Sequence, residues 1–193
     1  SNGLLPMRAA DREFARAHDF RRFLQKHLRP HLEELPEADP LDRRLPPLKE
    51  LPAEVVRRWP PARLDQLLGG AAALAHLPID HGVAPAGTAG GSVAAGRALR
   101  RFLDERLVRY AEQRNDMERE ATSGLSPYLH FGHVGVHQVF AETMQREEWS
   151  ADRTAARATG SATGWWGVSP GTEAFLDQLI PWRELGSNLC WHR

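Results

Sequence analysis

The stretch Ser92-Val93-Ala94-Ala95-Gly96-Arg97-Ala98-Leu99-Arg100-Arg101-Phe102-Leu103-Asp104-Glu105-Arg106-Leu107-Val108-Arg109-Tyr110 decides the fold. Leu99, Phe102, Leu103, Leu107 and Tyr110 recur at intervals of three and four residues. That spacing lays them along one face of a helix and leaves the arginines and acids on the other. The pattern predicts one helix from about Ser92 to Asp116.

Outward from this stretch the helical signals continue. Upstream, Phe14, Phe20, Phe23, Leu24, Leu28, Leu32 and Leu35 fit one helical face beginning near Asp11, and Pro30 should break or kink it, so a helix is expected over about 11–29. Glu37 to Pro61 is rich in proline and charge and reads as a loop with one short helix near Ala53 to Arg58. A second short helix is expected over Pro61 to Leu68, ended by Gly69-Gly70, and His81 to Gly91 reads as extended. Downstream, Ser126-Pro127 and Ser169-Pro170 both carry a helix start: serine caps free N–H groups and proline fits the first helical turn. Helices are expected near 135–148 and 170–190, the second with an interior fault at Pro181, and Arg153 to Gly167 reads as loop. No period-2 run predicts a strand. The fold class is all-α, with little or no sheet.

The 193 residues are enough for a domain with a real core, and 41% hydrophobic with 26% charged residues is a globular composition. Lys plus Arg equals Asp plus Glu at 25 each, so overall charge does not announce a nucleic-acid binder; any basic patch must be local. Cys190 is the single cysteine, which excludes an internal disulfide and points to a reducing, cytoplasmic setting. No stretch approaches a membrane span, and the first residues, Ser1-Asn2-Gly3-Leu4-Leu5-Pro6, do not have the build of a signal peptide. The nine histidines show no metal spacing; His130 and His133 are close, without the further ligands zinc requires. No nucleophile triad is present, so no catalytic side chain and no metal ligand is assigned.

Four segments carry chemistry. Tyr110 and Arg114 are four apart and share a helical face. That suits a phosphate-facing surface, and equally a core tyrosine beside a solvated arginine. Thr122-Ser123-Gly124-Leu125-Ser126 places three hydroxyls and a glycine before a helix start, where free N–H groups favour an anion such as a diphosphate; an ordinary serine cap fits as well. In Phe175-Leu176-Asp177-Gln178-Leu179-Ile180-Pro181-Trp182-Arg183-Glu184-Leu185 the apolar spacing reads as core, with Arg183 and Glu184 as a surface pair of little worth. Five of the six tryptophans, Trp149, Trp165, Trp166, Trp182 and Trp191, lie in the last 45 residues, where they can pack a core, stack on bases or relay electrons.

In this order, Tyr-x-x-x-Arg at 110–114, Thr-Ser-Gly-Leu-Ser-Pro-Tyr-Leu-His-Phe-Gly at 122–132 and Phe-Leu-Asp-Gln-Leu-Ile-x-Trp-Arg-Glu-Leu at 175–185 resemble the DNA photolyase and cryptochrome family. The segment at 125–132 and the ending Arg-Glu-Leu-x-x-Asn-x-Cys look most like the class II cyclobutane pyrimidine dimer photolyases. Leu4-Leu5-Pro6 and Asp19-Phe20-Arg21-Arg22-Phe23-Leu24-Gln25 resemble that family's passage from antenna domain to helical domain.

The resemblance implies flavin adenine dinucleotide (FAD) as cofactor. Tyr110 matches a cofactor contact, Thr122, Ser123, Gly124, Leu125 and Ser126 the run around its phosphates, and Phe175 the aromatic beside the flavin. Arg114 matches a DNA-contacting arginine, and Gln178, Trp182 and Arg183 the stretch facing a flipped-out lesion in UV-damaged DNA. The implied activity is that of a deoxyribodipyrimidine photo-lyase; a cryptochrome-like blue-light photoreceptor and an inactive helical interaction fragment are the alternatives. The implied organisation is 1–10 as the end of the antenna domain, 11–91 as a helical and loop connection, and 92–193 as the first part of the helical FAD-binding domain. The resemblance also implies that the antenna and later helical segments are absent, so the isolated chain is expected to bind flavin weakly or not at all, not to repair DNA, and to self-associate. Relative to some family members Pro181 looks like an added residue, which favours a helical bulge and unsettles the match at Gln178.

Overall fold

A computed structural model describes residues 3–33, 35–37, 39, 42, 46 and 50–193. Its helices are α1 (Ala17–His27), α2 (Ala53–Arg58), α3 (Leu64–Leu67), α4 (Ala71–Leu74), α5 (Ser92–Glu105), α6 (Tyr110–Gln113), α7 (Ser126–His130), α8 (Val136–Arg146), α9 (Pro170–Asp177) and α10 (Arg183–His192). No strand occurs among the described residues. Of the loop expected over 37–61, residues 38, 40, 41, 43–45 and 47–49 lie outside the described residues, as do Ser1 and Asn2.

The chain divides into two compact units, Ser1–Pro36 with Gly90–Arg193, and Glu37–Ala89. The second unit carries α2, α3 and α4, and none of its described residues is buried. The first unit holds the core. Its centre is the apolar stripe of α5, Ala95, Leu99, Phe102 and Leu103, packed with Phe20 and Leu24 of α1, Val139 and Phe140 of α8, and Phe175 and Leu176 of α9. No helix of the described residues is long and apolar enough to cross a membrane.

Two helices are shorter than their apolar spacing implies. α1 begins at Ala17, because residues before it run as a strap with Arg16 extended at φ −134° and ψ 137°. Side chains of α10 hold that strap by its backbone. Glu184 accepts from Leu4 N at 2.6 Å and Leu5 N at 3.3 Å, and Asn188 accepts from Phe14 N at 3.1 Å and donates to Arg12 O at 3.0 Å. His192 reaches Ala10 O at 3.1 Å. Glu184, Asn188 and His192 are four apart and form one polar stripe. Glu184 is therefore not half of a surface pair with Arg183: it is 5% exposed.

The helix expected to reach Asp116 stops at Arg106. A 3-10 turn over Leu107–Arg109 and the short α6 replace its last part. The kink seats α9, which packs on α6 and on the turn. Gly171, in the first turn of α9, lies so close that a Cβ there would collide with the Leu107 carbonyl oxygen.

α9 and α10 form one interrupted helix. Pro181 has no N–H, so the Asp177 carbonyl loses its ordinary helical donor. The backbone widens into a π-turn over Gln178–Trp182 and then resumes as α10. The bulge that proline favours is thus present.

Candidate functional site: a cleft between α6, α7 and α9

Three separated segments meet at one cleft of about 850 Å³. α6 brings Tyr110, the loop before α7 brings Thr122, Ser123 and Gly124, and α7 adds Ser126, Leu129 and His130. The α9–α10 segment supplies Phe175, Gln178, Leu179, Trp182 and Arg183. The volume lies within the range of small-molecule sites, about 300–1,000 Å³.

The floor is aromatic. Tyr110 and Phe175 meet edge to face at 5.6 Å and 85°, and Phe102 closes the triad at 5.6 Å from Tyr110 and 4.6 Å from Phe175. Such pairs hold ring orientations beyond their area burial. Tyr110 is 7% exposed. Burial pushes its hydroxyl above the ordinary phenol value, and the Arg114 guanidinium, hydrogen-bonded to it, pulls the other way. Arg114 does not itself line the cleft.

The hydroxyl-rich wall is a pinned loop. Arg106, at the end of α5, donates to the Thr122 carbonyl at 3.2 Å. Leu125, expected beside the phosphates, does not line the cleft: it is 1% exposed and its side chain sits in the core. Between these anchors Gly124 takes φ +68°, a left-handed conformation that a side chain would strain. Ser123 Oγ accepts from Leu125 N at 3.3 Å. Ser126 was expected to cap α7; instead Leu125 holds the cap position and no side chain makes a capping hydrogen bond. The helix starts one residue earlier than expected, so Ser126 is its first helical residue and not its cap, and its side chain is exposed at the cleft. The hydroxyls of Thr122, Ser123 and Ser126 are donors suited to phosphate oxygens, and the aromatic floor suits a planar ring. The residues present therefore fit a dinucleotide such as FAD.

The opposite rim is the π-turn. Trp182 is 50% exposed, yet its indole N–H donates to Asp177 Oδ2 at 3.1 Å. Arg21 of α1 grips the same carboxylate with Nε at 2.7 Å and Nη2 at 3.2 Å. Arg183 lies beside Trp182 and faces the cleft. Of the other tryptophans, Trp165 and Trp166 are buried in the core, and Trp191 is exposed at the end of α10.

Sequence reasoning missed several participants. His130 was weighed only as a metal ligand, although it stands four residues after Ser126 and so shares its helical face. Arg106, Arg21 and Asp177 carried no local signal, since each acts through a residue distant in sequence or through the π-turn.

No family model matches the chain. Curated proteins do. A deoxyribodipyrimidine photo-lyase of Oryza sativa subsp. japonica is 37% identical over 94 residues, 48% of this chain and 15% of that protein. One of Potorous tridactylus is 29% identical over 119 residues, 61% of this chain and 19% of that protein. Cryptochrome-1 of Sinapis alba is 37% identical over 60 residues, 31% of this chain and 12% of that protein. The chain thus matches less than one fifth of the length of each of these relatives. With the three motifs gathered at one cleft, the chain is similar, over part of its length, to proteins of the photolyase and cryptochrome family.

Proposed function

We propose that the cleft takes FAD against its hydroxyl wall and aromatic floor, and a pyrimidine dimer of UV-damaged DNA against the π-turn rim, in light-driven dimer reversal. The observation that carries this reading is the convergence of Tyr110, Thr122, Ser123, Gly124 and Ser126, and Phe175, Gln178, Trp182 and Arg183 on one cleft from segments far apart in sequence. Thr122, Ser123 and Ser126 donate to phosphate oxygens, with Gly124 allowing close backbone approach and Leu125 anchoring the loop. Phe175 and Tyr110 set the plane of the ring system. When bound, the flavin supplies one-electron chemistry, which is why no acid–base set is needed. Gln178 and Trp182 meet the extruded bases, and a damaged, poorly stacked step lowers the cost of extrusion. Arg183, and Arg114 next to Tyr110 on α6, supply local positive charge to DNA phosphates in a chain of zero net charge.

The match to cryptochromes supports a second reading, blue-light signalling through the same flavin site. One experiment separates them. The purified chain is titrated with FAD, freed of excess ligand, given an oligonucleotide with one thymine dimer, and illuminated. Retained flavin with light-dependent dimer loss supports repair. Bound flavin with an unchanged dimer is what signalling or an inactive fragment gives. Flavin binding, however weak, that is unaltered by Ser126→Ala and Phe175→Ala overturns the assignment of the cleft.

A further inference from the structure

Residues five apart on a continuous α-helix lie about 140° apart around the axis, too far to touch. Asp177 and Trp182 are five apart and hydrogen-bonded at 3.1 Å. The π-turn makes this possible: its i→i+5 pattern brings such residues onto one side, and Pro181 is the local cause of the turn. Asp177 is also held from outside its own helix. Arg21 binds both carboxylate oxygens, the two side chains being 11% and 12% exposed. A third bond from Arg21, to the Gly160 carbonyl at 3.2 Å, fixes the guanidinium, and Gln25 ties the same loop at Gly160 N and Ser161 O. A half-exposed indole at a cleft rim would ordinarily sample several rotamers. This one is tethered to a sheltered, doubly bonded carboxylate.

We infer that Asp177, aligned by Arg21, is a positioning residue that holds the Trp182 indole as a fixed aromatic wall for stacking on an unpaired base step. The inference rests on the reading of the cleft rim as the lesion site. Stacking on a rigid aromatic loses less conformational freedom on binding than stacking on a mobile one, so the tether raises affinity without touching the ligand. The tether also sets specificity for an aromatic ligand over phosphate alone, because it fixes a ring face and adds no charge to the rim.

The test uses the whole chain and two readouts. The first is the ¹H–¹⁵N indole spectrum, with the Trp182 signal assigned by its loss in Trp182→Phe. Asp177→Asn is expected to shift that signal and speed its exchange with solvent, and Arg21→Gln to do so as well although Arg21 does not touch the indole. Because a lone Asp177→Asn leaves Arg21 sheltered without its partner, the double variant Arg21→Gln/Asp177→Asn, which removes both charges together, repeats the measurement. A Trp182 signal unmoved in these variants overturns the positioning role. The second readout is affinity for a single-stranded oligonucleotide with one thymine dimer. Asp177→Asn is expected to weaken it about twofold to tenfold, as one hydrogen bond allows. The salt slope should stay unchanged, since no phosphate contact is lost. In a Trp182→Phe background, which has no N–H to tether, Asp177→Asn should have no further effect on affinity. Additive losses overturn the positioning role. A shifted Trp182 signal with dimer affinity unaltered by Trp182→Ala leaves the tether standing and rejects the rim as the lesion site.

Discussion

Two Ser-Pro dipeptides open helices in this chain, and the protein treats them oppositely. At Ser169-Pro170 the serine caps α9 by accepting from Thr172 N at 3.5 Å. The protein also supplies its own anion there. Glu147, just past α8, accepts from Ser169 Oγ at 2.5 Å, Thr172 Oγ1 at 2.6 Å and Ser169 N at 3.2 Å. At Ser126-Pro127 no cap forms and no carboxylate of the chain is hydrogen-bonded to the Ser126 hydroxyl among the described residues. The same dipeptide is thus a structural joint where an internal carboxylate satisfies its donors, and a candidate binding wall where none does. The lesson is that a helix start reads as a ligand site only once the protein's own anions have been excluded from it.

The largest effect expected from this contrast is at the occupied start. Glu147→Ala should destabilise the fold by about 2 kcal/mol, since it removes charge-assisted hydrogen bonds and leaves Thr172, fully buried, without its acceptor. Urea unfolding measures it, and a loss no greater than that of an ordinary surface substitution breaks the comparison. Ser169→Ala comes next, at about 1 kcal/mol for a lost cap.

How much of this was legible follows the range of the interactions. The apolar stripe of α5 and the stripe from Phe14 to Leu32 were readable because three- and four-residue spacing is local. Their ends were not. Phe14 is buried as its spacing implies, but in a strap whose backbone bonds go to Asn188, 174 residues away. The stop at Arg106 belongs to the packing of α9 against Leu107, also distant in sequence. Pro181 was legible as a fault because proline acts on its own helix, yet what the fault achieves, the meeting of Asp177 with Trp182, needs the third dimension. In the cleft, motif residues were found by resemblance, while Arg106 and Arg21 were missed because each works on a distant backbone or side chain. Ser126 was read as a cap since sequence does not report which of two adjacent residues takes the cap position.

Acidity sharpens the contrast further, because two buried or half-buried glutamates move in opposite directions. Burial pushes the Glu147 carboxyl up, but the hydrogen bonds from Ser169 and Thr172 outweigh it, and the group lies below its ordinary 4.5. A lowered folded value means that its contribution to stability is present above the unfolded value and is lost as pH falls through the folded one. Glu184 is the reverse: burial raises it to about 7 against the pull of the Leu4 and Leu5 amides and Arg183. Its contribution is fully present below 4.5 and is lost as pH rises toward about 7. Unfolding midpoints across the acid and neutral range should therefore show two limbs. Glu147→Gln flattens the acid limb, and Glu184→Gln flattens the limb between 4.5 and about 7. A single limb removed by either substitution alone would mean the two sites are not independent.

The smallest change in stability is expected where the proposed function is greatest. Ser126 makes no cap, so Ser126→Ala should alter unfolding free energy by less than about 0.5 kcal/mol, as a surface substitution does. Its hydroxyl lines the cleft, and on the proposed reading it donates to a phosphate of the dinucleotide. Flavin retention should then fall in Ser126→Ala while the urea midpoint stays in place, the opposite of Ser169→Ala, where the midpoint falls and retention is unaltered at equal folded fraction. The pair is measured in one experiment, with bound flavin and unfolding read on the same preparations. Equal destabilisation in both variants would make Ser126 a second structural joint and remove the distinction between the two starts. Unchanged flavin retention in Ser126→Ala at unchanged stability would move the phosphate contact to Thr122 and Ser123, whose hydroxyls share the same wall.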